Sequence, residues 1–293
     1  MCVLCEMGLN PLSVQNDQIQ ANGELSVTNT GDQNVDAILI GSNWDSLNLT
    51  YTFPTASSYF TDNPYEIAPG FFDQGYVDNF VAFNAAWQTA SRAVIDMFAA
   101  VSGLNFTEIA PSTATPADVV FAQTTDSSIG TASGRFPGWP NEGHQWYQTT
   151  NFETTPVRGT YTWLTILHET GHTMGLAHGH SADSISGSFT GMVLEADRDS
   201  MEFSIMTYRS YVGASTSGGY GNETYGYAQT LMMYDIAALQ ELYGANYGEN
   251  AGNNTYTWSE TTGEMFIDGI GQGAAGANPV SYTHLTLPTI LRV

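Results

Sequence analysis

Four of the six histidines in the 293-residue chain fall within thirteen positions, in the run Leu167-His168-Glu169-Thr170-Gly171-His172-Thr173-Met174-Gly175-Leu176-Ala177-His178-Gly179-His180. His168 and His172 are four apart, so on a helix they leave one face and can grip one ion. Gly175 lets the chain quit that helix through a left-handed turn, which can bring His178 back as a third nitrogen. Three imidazoles suit zinc, and three protein ligands leave an open position for water, as catalytic zinc sites do. Glu169, beside the first ligand, can take a proton from the zinc-bound water, whose pKa falls from ~16 to ~7. It can then return that proton to a leaving amine. The short His-Glu-x-x-His form is moderate evidence by itself. Five fixed matches by chance have odds on the order of 1 in 100,000. The bland alternative is a helix with three incidental histidines.

These side chains need elements to carry them. The pattern predicts a helix from near Thr160 to Gly175. A second helix is expected after an Asp78 cap, with the stripe Phe80, Phe83, Trp87, Ala90, Val94, Met97 and Val101 as core and a stop at Gly103. A third spans roughly 228–243, with Met232, Ile236, Leu239 and Tyr243 on one face and Gly244 behind. Residues 47–53 alternate apolar with polar before Pro54 and read as a half-buried strand. Residues 106–109 and 118–123 are further strand candidates, separated by a turn bracketed by Pro111 and Pro116. Residues 55–77 read as a long surface connection, and 125–160 as loop with an edge strand. Strands interleaved with helices give a mixed α/β layer structure, and no internal repeat is found.

Composition narrows the partners. There are 29 acids against 6 bases, all arginine, for a formal charge of -23. The phosphate backbone of nucleic acid would be repelled, and an anionic membrane surface is disfavoured for the same reason. No run approaches 18 apolar residues, so no transmembrane helix is expected. The two cysteines, Cys2 and Cys5, offer the body of the chain no disulfide framework. They read as part of a flexible leader; a small metal or redox loop, or a thiolate capping a metal site in a latent precursor, are the sharper alternatives. The first residues lack the basic and apolar regions of a Sec-type signal. Residues 280–293 resemble the translation of a sequencing-library adapter and are expected to lie outside the fold, with the natural chain continuing beyond 279.

Met206, in Ser204-Ile205-Met206-Thr207-Tyr208, comes 28 residues after His178. The extended histidine motif followed by this methionine turn resembles the metzincin clan of zinc endopeptidases. The tyrosine two residues after Met206 is similar to the serralysin type in particular. So is the segment from Asp235 to Asn246, close to the sequence that ends serralysin catalytic domains. The resemblance covers about residues 36–279 and is strongest from 160 to 246. It implies an α/β fold of the α+β, zincin-like kind: a twisted mixed sheet, an active-site helix and a C-terminal helical subdomain. It implies His168, His172 and His178 as zinc ligands and Glu169 as general base. Met206 would form an apolar floor under the imidazoles. Tyr208 would be a further zinc ligand at rest, swinging away to donate a hydrogen bond to the tetrahedral oxyanion, a role open to a phenol. The bland alternatives are an ordinary core methionine and a buried tyrosine.

One departure stands out. Serralysins commonly follow the third histidine with proline, whereas this chain has Gly179-His180. His180 fits the ligand spacing worse and is expected beside the ligands or in solvent. His144 is expected on a cleft wall or at the surface.

The resemblance makes the chain a secreted zinc-dependent endopeptidase acting on protein or peptide substrates. It implies a leader over 1–35, a catalytic domain over 36–247, and over 248–279 the start of a C-terminal calcium-binding region. It further implies export through a one-step transporter by a C-terminal signal, a bacterial inhibitor as possible partner, and a monomer. Substrate would lie along an upper edge strand, here Thr131 to Trp139, by strand addition. The rivals are a non-catalytic secreted adhesin or calcium-binding module that keeps a zincin fold, and a zinc hydrolase of another bond. An intact Glu169 argues against the first.

Overall fold

The computed structural model describes residues 27–61, 73–183 and 186–272. The expectations for Cys2, Cys5 and the adapter-like tail lie outside the described residues. The elements before the histidine motif are α1 (Gln33–Asp36), β1 (Asn48–Thr52), α2 (Ser58–Thr61), α3 (Asp73–Asp78), β2 (Phe80–Val81), α4 (Ala85–Val101), β3 (Asn105–Glu108), β4 (Val119–Thr124), β5 (Ala132–Gly134) and β6 (His144–Gln148). The motif lies on α5 (Tyr161–Thr173), and α6 (Met233–Tyr243) and β7 to β9 (Tyr256–Trp258, Met265–Ile267, Ile270–Gly271) follow.

The main sheet is mixed. Its strands run β3-β1-β4-β6-β5, with β2 antiparallel to β4. β1 is parallel to both β3 and β4, β4 is parallel to β6, and β5 runs antiparallel at the edge. All of β4 is buried, and the two-residue alternation of a strand explains how. Val119 and Phe121 join the main core with Trp87, Val94 and Phe98 of α4 and Leu164, Ile166 and Leu167 of α5. Val120 and Ala122 turn to a smaller cluster with Tyr59, Phe60, Tyr76, Val77 and Trp146.

That smaller cluster corrects the reading of 55–77 as surface connection at 59–60 and 76–77, while 62–72 lie outside the described residues. α2 and α3 bury their aromatic residues against the sheet. Seated among Ser, Gly and Pro, those rings looked like loop decoration, yet each can remove about 150–250 Å² from water. The second expected helix is also corrected. Asp78 ends α3, Phe80 and Val81 pair with β4, and α4 starts later, where Asn84 Oδ1 accepts from Ala86 N and Trp87 N at 2.9 and 3.0 Å. Two good capping residues, Asp78 and Asn84, stand within two turns' reach of each other, and the strand pairing selects the second. The third helix begins at Met233 rather than 228: its N-cap Met232 is extended, and Ala228, Leu231 and Met232 are buried in the core ahead of it. Beyond α5 the chain turns repeatedly and its C-terminal part is carried by α6, which packs on α1 and α4. Among the described residues no helix is long and apolar enough to cross a membrane.

Candidate metal centre

Helix α5 starts where the sequence predicts. Thr160 is its N-cap, its hydroxyl oxygen accepting from Trp163 N at 3.4 Å. The helix ends at Thr173, and Gly175 takes a φ of 89°, the left-handed turn expected of it. The chain then returns beside residues 38–40: Ile40 N donates to Gly175 O and Ala177 N to Ile38 O. This pairing carries His178 back over the helix.

His168 Nε2 and His172 Nε2 lie 3.1 and 3.0 Å from His178 Nε2, and all three rings are buried. The opposite nitrogens fix the tautomers. His168 Nδ1 donates to Ile205 O at 2.8 Å and His172 Nδ1 to Leu176 O at 2.7 Å. A carbonyl only accepts, so the proton of each neutral ring is on Nδ1 and a bare lone pair on Nε2 faces inward. His178 Nδ1 lies 2.9 Å from Ser186 Oγ, and that hydroxyl faces the Asp183 carboxylate at 3.1 and 3.2 Å. The hydroxyl proton goes to the carboxylate, so His178 donates as well. Three lone pairs aimed at one another repel unless a cation lies among them. A tetrahedral zinc with bonds of about 2.0–2.1 Å spaces its nitrogens by roughly 3.4 Å. The donor set therefore fits zinc, and the ligating atoms of the three histidines lie within 4.8 Å of one another.

Burial keeps these rings neutral, as metal ligation requires. It holds His168 and His178 well below the usual imidazole range, aided by their histidine neighbours, and His172 at about 4. The sign of the stability effect follows. A ring with a depressed folded pKa binds fewer protons folded than unfolded, so its contribution is present above ~6.5 and lost as pH falls through the folded value. The metal-free protein should therefore lose stability between pH 7 and pH 5, by about 2 kcal/mol at His172 with His168 and His178 adding to the loss. The buried Asp235 carboxyl, whose raised pKa favours the folded state as pH falls, offsets part of it. Urea unfolding of metal-free protein at the two pH values checks this, and equal stabilities would contradict it.

Glu169 is buried beside His168. With Tyr161, Leu164, Thr165 and His168 of the same helix it lines a cleft that Thr131, Tyr208 and Tyr220 complete. Tyr208 Oη lies 3.1 Å from His178 Nε2 and so joins the triad. Met206 is fully buried under the helix. A Cβ at Gly171 would come within 2.7 Å of its sulfur, so glycine between the histidines is what lets the thioether close beneath them. His180 is beside the ligands, its ring against that of Tyr208 at 4.4 Å between centroids. His144 is elsewhere, on β6, edge-on to the Phe60 ring at 5.5 Å. Thr131 reaches the cleft, but the expected strand over 131–139 is regular only in β5, with turns after it.

Asp235 escaped the sequence reading as a site residue. It is completely buried in the first turn of α6. Its carboxylate accepts from Ser204 Oγ at 2.7 Å, Ile205 N at 3.0 Å and Met232 N at 2.8 Å. Ile205 in turn presents the carbonyl that orients His168. Burial pushes the carboxyl up to about 6, against the pull of those hydrogen bonds. An acid three residues after a helix start was the available signal. For Ser186 and Asp183 there was none, since their role exists only once the loop has folded.

Comparison with known proteins places this geometry. Over 227 residues the chain is 31% identical to a metallopeptidase AprA of Pseudomonas marginalis, covering 75% of this chain and 45% of that protein. It is 29% identical over 238 residues to a serralysin of Proteus mirabilis, covering 73% and 43%. It is 28% identical over 245 residues to a metalloprotease AprA of Pseudomonas entomophila, covering 81% and 49%. The chain thus spans about half the length of these curated relatives. No family model matches it.

Proposed function

The matched region belongs to the serralysin type of metalloprotease, and from that premise we propose that the protein is a secreted zinc endopeptidase hydrolysing peptide bonds in proteins. The observation that carries the proposal is the convergence of three inward-facing imidazole nitrogens on one point beside Glu169. His168, His172 and His178 hold the ion, each aligned by the acceptor behind it. When bound, zinc lowers the pKa of a water to ~7 and polarises the scissile carbonyl.

The remaining work falls to the chain's own groups. The Glu169 carboxylate accepts the proton of the attacking water and returns it to the leaving amine nitrogen. Tyr208, whose Oη lies beside His178 Nε2, would be a further ligand at rest, and turned away its hydroxyl would donate to the developing oxyanion. Met206 supports the rings from below. The outer edge of β5, the last strand of the sheet, takes the extended substrate by backbone hydrogen bonds. Residues 36–247 form the catalytic unit, and the small sheet β7-β8-β9 opens the region that the resemblance associates with calcium.

Casein hydrolysis tests this reading. A strong chelator should abolish turnover, and about one equivalent of zinc should restore it. Turnover that survives complete metal removal, or a zinc-loaded protein with none, would refute the proposal.

A further inference from the structure

Tyr208 sits on a backbone that cannot move far. Thr207 Oγ1 and Arg209 Nε both donate to the Asp199 carboxylate, the latter at 2.7 Å. Thr207 O also accepts from Tyr220 Oη at 2.9 Å. Both neighbours of Tyr208 are thus tied down, and the phenol can change place only by rotating about its own side-chain bonds. What resists that rotation is the company of the ring. Tyr220 meets it edge-on at 6.0 Å, and His168 is tilted against it at 5.7 Å. His180 is the nearest ring, 4.4 Å away at an interplanar angle of 35°. Its Nδ1 also accepts from Tyr208 N at 3.3 Å.

The geometry points to His180 as a positioning residue: its ring, laid against Tyr208, holds the phenol oxygen beside His178 and so sets how readily Tyr208 leaves. This rests on the reading of Tyr208 as a ligand at rest. His180 does not compete for the ion, because its nitrogens fall outside the group of converging ligand atoms. The contact is made by the ring face, so the chemistry required at position 180 is a flat side chain rather than a basic one.

Copper(II) in place of zinc reads the contact directly, since a phenolate oxygen on copper(II) gives a visible charge-transfer absorption that imidazole and water do not. The full chain carrying one copper(II) should show the band, and Tyr208→Phe should lack it. His180→Phe keeps an aromatic face and should retain the band. His180→Ala removes the ring, and His180→Asn keeps only an acceptor for Tyr208 N. Both should bind one copper per chain with a weakened band, the ratio of bound to released phenol read from it falling roughly fivefold, the scale of one aromatic contact. Full absorption in His180→Ala or His180→Asn, or its loss in His180→Phe, overturns the inference. If His180→Ala binds no copper, the Asn and Phe variants decide alone. A wild-type copper protein indistinguishable from Tyr208→Phe overturns the ligand role of Tyr208 and this inference with it. The wild-type spectrum therefore separates the two failures.

Discussion

Glu169→Gln should keep one zinc per chain and lose casein hydrolysis by a factor on the order of 10³, within the range that general acid–base catalysis supplies. The substitution preserves shape and removes the only property the mechanism asks of the residue, the capacity to accept a proton and give it back. Glu169 is buried on α5 next to His168, facing the cleft. The three Nε2 atoms and the acceptors behind them belong to other residues. Metal content should accordingly stay at one equivalent while kcat collapses. Metal analysis and turnover on one preparation make the test, and an unchanged kcat would remove Glu169 from the proton path.

Asp235→Ala should destabilise the protein by about 3–5 kcal/mol, because three buried donors lose their acceptor at once. Ser204 Oγ, Ile205 N and Met232 N would each lose a buried acceptor. Leaving one such group unsatisfied costs about 1–3 kcal/mol. The damage should not stop at stability. Ile205 lends its carbonyl to His168 Nδ1, so a relaxed methionine turn lets the ring drift. Loss of such outer support weakens metal binding by about 10–100-fold. Urea unfolding and a zinc competition assay read the two effects separately. A loss under about 1 kcal/mol with unchanged zinc affinity would show that Asp235 only packs.

The convergence of the three histidines was largely legible because its information is local. His168, His172 and Gly175 act through helical spacing and one left-handed turn, which a linear pattern encodes. Trp87, Ala90 and Val94 likewise repeat at helical spacing, and they are core in the structure. Legibility failed where a choice between alternatives is made by distant partners. Phe80 and Val81 could extend the following helix by periodicity, and only their pairing with Gln123 and Thr124 makes them strand. Tyr59 and Tyr76 could decorate a loop until Trp146 of β6 gives them something to pack on. The support behind the histidines was invisible for the same reason: Ile205, Ser186 and Asp235 matter through hydrogen bonds that no spacing announces.

The carboxylate that squares up the methionine turn comes 29 positions after Met206. A growing polypeptide that has exposed every candidate ligand through Tyr208 still lacks the carboxylate that holds Ile205, whose carbonyl orients the first of them. On the proposed reading the candidate centre is therefore completed late in biogenesis, since its supporting network closes only when α6 docks.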